Sequence, residues 1–110
     1  MPERRDPGPS RHQVPELDAA ALEAARTADR LLLAARAFGA DRWIRYVAPL
    51  PDRLRDDPIP ALRSVARQAR AAYGPKDSIR DSLPPDVTEQ FLESIDRLIK
   101  AIARFEAHRD

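Results

Sequence analysis

Apolar side chains recur along residues 86–107 with the spacing of an amphipathic helix. From Phe91 to Phe105 they follow steps of four, three, four and three positions, which places them on one side of a 3.6-residue turn. Charged residues fill the opposite side. Because an amphipathic helix of this kind is unstable alone in water, the pattern predicts that other helices cover its apolar side.

A second long helix is predicted over residues 15–38. Pro15 suits the first helical position, and Glu16 and Asp18 place negative charge where the helix dipole favours it. Gly39 is the expected C-terminal cap. The core-facing positions of this helix are mostly alanine, which allows a neighbouring helix to approach closely.

The end of this predicted helix is apolar most of the way round. Leu31, Leu32 and Leu33 are consecutive, and successive helical residues project about 100° apart. All three leucines therefore cannot face one core. A helix with this pattern is either central in its bundle or contributes to an interface, and the short chain favours an interface.

Two further helices complete the prediction. A short one over residues 41–48 ends at Pro49, and a longer one over residues 58–73 begins after Asp57 and ends at Gly74. The proline-rich segment between them is predicted to be a connector, with room for one helical turn around Leu54. These elements predict an all-α fold, a small helical bundle of three long helices plus one short helix.

The sequence divides into two parts. Residues 1–13 combine prolines and charges without periodicity, so we expect a disordered N-terminal arm whose arginines are solvated. Residues 14–110 form the predicted helical bundle domain. Short connectors favour antiparallel neighbours, and the last helix is expected to pack against the first and third long segments.

Composition narrows the functional classes. The 19 basic and 18 acidic side chains leave a net charge of +1, so no strong overall field attracts nucleic acid or an anionic membrane. No apolar run is long enough to span a bilayer, and the N-terminus lacks the apolar segment of a secretory signal. We therefore expect a cytoplasmic protein that is not in a membrane.

The sequence contains no motif that indicates catalysis. It has no cysteine, only two histidines and three glycines, and none of the common phosphate-binding, zinc-protease or nucleophile motifs. We therefore predict no catalytic residues, no cofactor and no metal site.

Alanine supplies 19 of the apolar residues, a bias that accompanies GC-rich coding. Each alanine buries little area, so we expect a thin core that a second copy or a partner protein completes. The functional hypothesis is a non-catalytic protein–protein interaction module. Its predicted exposed apolar contacts are Leu32, Leu33, Phe38, Trp43 and Tyr46.

The alternative hypothesis is a helical module that binds nucleic acid. Residues 59–76 contain arginines but no acidic residue, and a basic helical stripe can follow a phosphate backbone. Solvation of these arginines, or pairing with acids of the last helix, is the favoured explanation of this stripe. The predicted nucleic-acid contacts are Arg42, Arg45, Arg63, Arg67 and Arg70.

Overall fold

The computed structural model describes residues 9–108 and confirms the all-α fold. The helices are α1 (Pro15–Ala37), α2 (Asp41–Val47), α3 (Leu50–Asp56), α4 (Ile59–Ala71) and α5 (Pro85–Ala107). Short 3-10 helices span Arg11–Gln13 and Ile79–Asp81. No strand occurs within residues 9–108.

The end of α1 follows from its sequence. Gly39 has a φ of 63°, the left-handed conformation that glycine adopts without a Cβ clash. Its N–H donates to the Arg36 carbonyl at 3.1 Å, and the Ala40 N–H donates to the Ala35 carbonyl at 3.0 Å. These two hydrogen bonds form a Schellman motif and satisfy carbonyls at the end of the helix.

Four helices close a ring around the core. Helix α1 packs against α5 and α3, and α4 packs against the same two helices from the opposite side. The predicted contacts of the last helix with residues 15–38 and 58–73 are therefore confirmed. The short helix α2 lies against α1 and α3.

The connector between α2 and α4 contains more helix than the single turn that the sequence predicts. Helix α3 spans seven residues and has Pro51 in its first turn. Backbone N–H groups there have no acceptor within the helix, so proline removes no intrahelical hydrogen bond. Leu50 and Leu54 are both buried, with at most 1% of their surface exposed. Because they are one helical turn apart, both reach the core from the same side of α3.

Alanine lies at the centre of this core. Ala21, Ala24, Ala28 and Ala35 of α1 are fully buried, and the buried apolar residues of the described chain form one cluster. The core is thus closed within a single chain, because small side chains let α3 and α5 approach α1 closely. The described chain therefore buries this cluster without a second protein.

Residues 1–8 of the predicted arm lie outside the described residues. The rest of the arm is attached to the bundle through Arg11, whose side chain is 11% exposed. Its Nε donates to Asp18 Oδ1 at 2.8 Å, and its Nη1 donates to the Asp57 carbonyl at 3.0 Å. Arg11 therefore differs from the expected solvated side chain because a carboxylate and a backbone carbonyl both accept its hydrogen bonds.

Candidate interaction surface

The three consecutive leucines of α1 occupy three different environments. Leu31 is fully buried, Leu32 is half-buried, and Leu33 is 65% exposed. Helical geometry requires this divergence, since each side chain projects about 100° from the previous one. Leu33 therefore faces away from the core while Leu31 packs into it.

Phe38 is the other large apolar side chain exposed in residues 9–108. It is 62% exposed and forms the C-cap of α1, immediately before Gly39. It follows the line of Leu31 and Ala35 along the helix, but it stands at the end of α1, where the described chain leaves it uncovered. We call Leu33 and Phe38 the exposed apolar pair.

Trp43 does not belong to this surface. It is 4% exposed, and its ring packs edge-on against Tyr46 with centroids 5.4 Å apart. The Arg42 guanidinium lies 4.6 Å from the Trp43 ring centroid, within the range of a cation–π contact. The prediction that Trp43 is an exposed contact is therefore wrong in this fold, and the residue fills the core beside α2.

Tyr46 is half-buried and fixed in place. Its hydroxyl donates to the Gln68 carbonyl at 2.5 Å, which ties α2 to α4. Burial raises its pKa, and the nearby Arg42 charge opposes that rise. No local pattern indicates this contact, because Gln68 lies 22 positions further along the chain.

The arginines of α4 have different surroundings. Arg63 pairs with Glu106 at 2.6 Å and Arg70 pairs with Asp96 at 3.2 Å, both on α5. Arg67 is exposed and has no ion-pair partner among the described residues. Of these three arginines of α4, two therefore pair with carboxylates across the bundle and one is solvated.

The basic residues near the exposed apolar pair are mostly solvated. Arg36, Arg42 and Arg45 are exposed, and none has an ion-pair partner within residues 9–108. One acid, Asp41, lies among them in the sequence and is also exposed. This end of the bundle therefore presents two large apolar side chains together with positive charge.

Within residues 9–108, no three His, Cys, Asp or Glu side chains are grouped to hold a metal ion. His12 and His108 are both exposed. None of the described helices combines the length and apolar composition needed to cross a bilayer.

Comparison of the chain with protein-family models, with curated proteins and with solved structures gives no match.

Proposed function

We propose that this protein is a non-catalytic, cytoplasmic interaction module that binds another protein, a second copy or a different chain, through the exposed apolar pair. The observation that carries the proposal is the exposure of Leu33 and Phe38, at 65% and 62%. The remaining large apolar residues of the described chain are buried or half-buried.

The energetics favour covering this pair. Removing apolar surface from water contributes about 25 cal/mol per Å², and interface centres are commonly built on such side chains. Half-buried Leu32 adds apolar area beside Leu33, and Phe38 lies five positions later, about 140° further round α1. Arg36 and Arg42 add positive charge at this end of the bundle, so acidic residues around an apolar centre would complement it.

Nucleic-acid binding has weaker support from the contacts. Arg63 and Arg70 are paired with α5 carboxylates, so phosphate would have to displace those acids. Trp43 is buried and offers no open ring face on which a base stacks.

Light scattering behind a sizing column tests the proposal for self-association. At high salt, where apolar contacts are not screened, we expect a mass that is a multiple of 12.4 kDa. Leu33→Glu and Phe38→Glu should each reduce that mass. Ala71→Glu, which adds the same charge at the exposed end of α4, is the control and should not.

A monomer at all concentrations would remove self-association through the exposed apolar pair and leave a different protein as the partner. The nucleic-acid alternative predicts another result. A single-stranded oligonucleotide would then bind with an affinity that falls steeply with salt and is lost in an Arg63/Arg67/Arg70→Glu variant. That result would replace the proposed function.

A further inference from the structure

An open groove of about 420 Å³ runs between α1 and α5. Its floor contains the alanines Ala19, Ala20 and Ala101. Alanine side chains leave room for an approaching helix, as they do inside the bundle. The groove runs along residues 16–23 of α1 and residues 94–104 of α5.

The two walls of this groove carry opposite charges. The α1 wall supplies Glu16 and Glu23, and the α5 wall supplies Arg97, Lys100 and Arg104. Of the basic residues, Arg104 pairs with Glu16. Arg97 and Lys100 are exposed and have no ion-pair partner within residues 9–108.

Glu23 already has a partner on its own helix. Arg26 Nη2 lies 2.5 Å from Glu23 Oε1, and the Arg26 side chain is 60% exposed. An ion pair this exposed contributes little free energy. Glu23 can therefore accept hydrogen bonds from a second arginine that approaches from outside the bundle.

The hydrogen bonds between α1 and α5 fix their relative register. Glu16 contacts Arg104, Thr27 contacts Ser94, and Arg30 contacts Gln90. As residue numbers rise along α1 they fall along α5, so the helices are antiparallel. Counting seven residues from the Glu16–Arg104 contact along each helix places Glu23 level with Arg97.

From this register we propose that the α1–α5 face binds a second copy of the chain. A two-fold axis lying in the face, parallel to the helices, places α1 of one copy on α5 of the other and keeps each residue at its own level. Glu23 of each copy then meets the Arg97 of the other, and Glu16 meets Arg104. Opposite charges that face each other across an interface select this pairing.

The competing two-fold arrangement is disfavoured by charge. An axis in the same face but perpendicular to the helices places α5 on α5, so the basic rows around Lys100 oppose each other. Like charges juxtaposed at an interface are repulsive. The charge pattern therefore specifies one of the two arrangements.

The groove spans residues 16–23 of α1 and 94–104 of α5, which is about 16 Å of helix at 1.5 Å per residue. The proposed contact is therefore smaller than a standard interface, and its specificity comes from the paired charges. This inference shares with the proposed function the idea of association, but it uses a different surface.

Paired charge reversals test the inference. Placed in a Leu33→Glu/Phe38→Glu background, which removes the exposed apolar pair, Glu23→Arg and Arg97→Glu each oppose like charges across the interface. Each variant alone should therefore have the mass of one chain by light scattering at low salt. Mixed in equal amounts, the two variants should regain the mass of two chains, because positions 23 and 97 then carry opposite charges wherever they face each other. The Leu33→Glu/Phe38→Glu chain without a reversal should be dimeric under the same conditions, and the dimer should weaken as salt is raised.

The Leu33→Glu/Phe38→Glu background separates this surface from the exposed apolar pair. In that background, Lys76→Glu makes the same change of charge as Arg97→Glu at an exposed position between α4 and α5 and should leave the dimer intact. Circular dichroism of each variant checks the fold, which both reversals should preserve because they alter the rim of an open groove. A monomeric Leu33→Glu/Phe38→Glu chain, or a mixture that stays monomeric, would overturn the inference. The proposed function fails separately if these two substitutions leave the mass at high salt unchanged.

Discussion

Tyr73 shows how one polar group can join two helices inside an apolar bundle. Its ring is buried at the end of α4, and its hydroxyl donates to the Thr88 carbonyl of α5 at 2.6 Å. Burial is the main cause that raises the pKa of Tyr73 above its ordinary value of 10.0. The charge of Glu89 adds to the rise, and Arg80 and Arg70 oppose it.

The first prediction concerns stability at alkaline pH. The pKa of Tyr73 is raised in the folded chain, so the unfolded chain ionises at this residue first as pH rises. The contribution of Tyr73 to the free energy of unfolding is therefore fully present below about pH 10 and is lost as pH rises further. Tyr73→Phe should lower the free energy of unfolding by about 1 kcal/mol at neutral pH through the lost hydrogen bond. It should also make the decline in stability at alkaline pH shallower.

Urea denaturation followed by circular dichroism, at neutral pH and at two alkaline pH values on either side of the ordinary tyrosine pKa, provides the measurement. Tyr46→Phe is the matched control, because that hydroxyl also donates to a backbone carbonyl but belongs to a half-buried residue. Tyr46→Phe should change the decline in stability at alkaline pH less than Tyr73→Phe does. Equal declines for wild type and Tyr73→Phe would show that the folded chain does not favour neutral Tyr73.

At the scale of single elements, periodicity and end signals predicted the long helices well. The predicted range 15–38 became Pro15–Ala37, and 86–107 became Pro85–Ala107, because proline begins each helix and its apolar stripe meets the core. The connector was harder to predict. Its prolines indicate breaks, but Pro51 lies in the first turn of α3, where proline is tolerated.

Gly39 provides a prediction about the end of α1. A Cβ at this position would meet no atom within 4 Å, so the effect of a substitution comes from the backbone conformation alone. Gly39→Ala should destabilise the fold by about 1 kcal/mol, because φ of 63° is unfavourable for alanine. Gly39→Asn should have a smaller effect, since asparagine tolerates left-handed geometry. A higher melting temperature for Gly39→Ala than for Gly39→Asn would contradict this explanation.

At the scale of the whole molecule, the candidate contacts were only partly predictable. The consecutive leucines required at least one to face outward, and Leu33 does so at 65% exposure. The spacing of Trp43 and Val47 by one helical turn fits burial as well as exposure, and pairing with acids of the last helix was one explanation of the α4 arginines. No local pattern identified Glu106, 43 positions away, as the partner of Arg63. These outcomes depend on how α2, α4 and α5 pack together, and helix periodicity does not specify that packing.

Sequence patterns also did not predict how the core is closed. Counting alanines suggested a core that needs completion, whereas close helix packing around Ala28 closes it within one chain. If this explanation is right, the centre of α1 has no room for a larger side chain. Ala28→Leu should then destabilise the fold by about 1–3 kcal/mol despite its greater apolar area, because overpacking displaces neighbouring side chains.

Ala103→Leu is the control for this prediction, because Ala103 is exposed within α5 and leucine has nearly the same helix propensity as alanine. Its free energy of unfolding in urea should remain within about 0.5 kcal/mol of wild type. A core that was incomplete would respond in the opposite way, since the added methyl groups of Ala28→Leu would fill unoccupied space and raise stability. The sign of the change at Ala28 therefore decides whether the bundle is closed by its own helices.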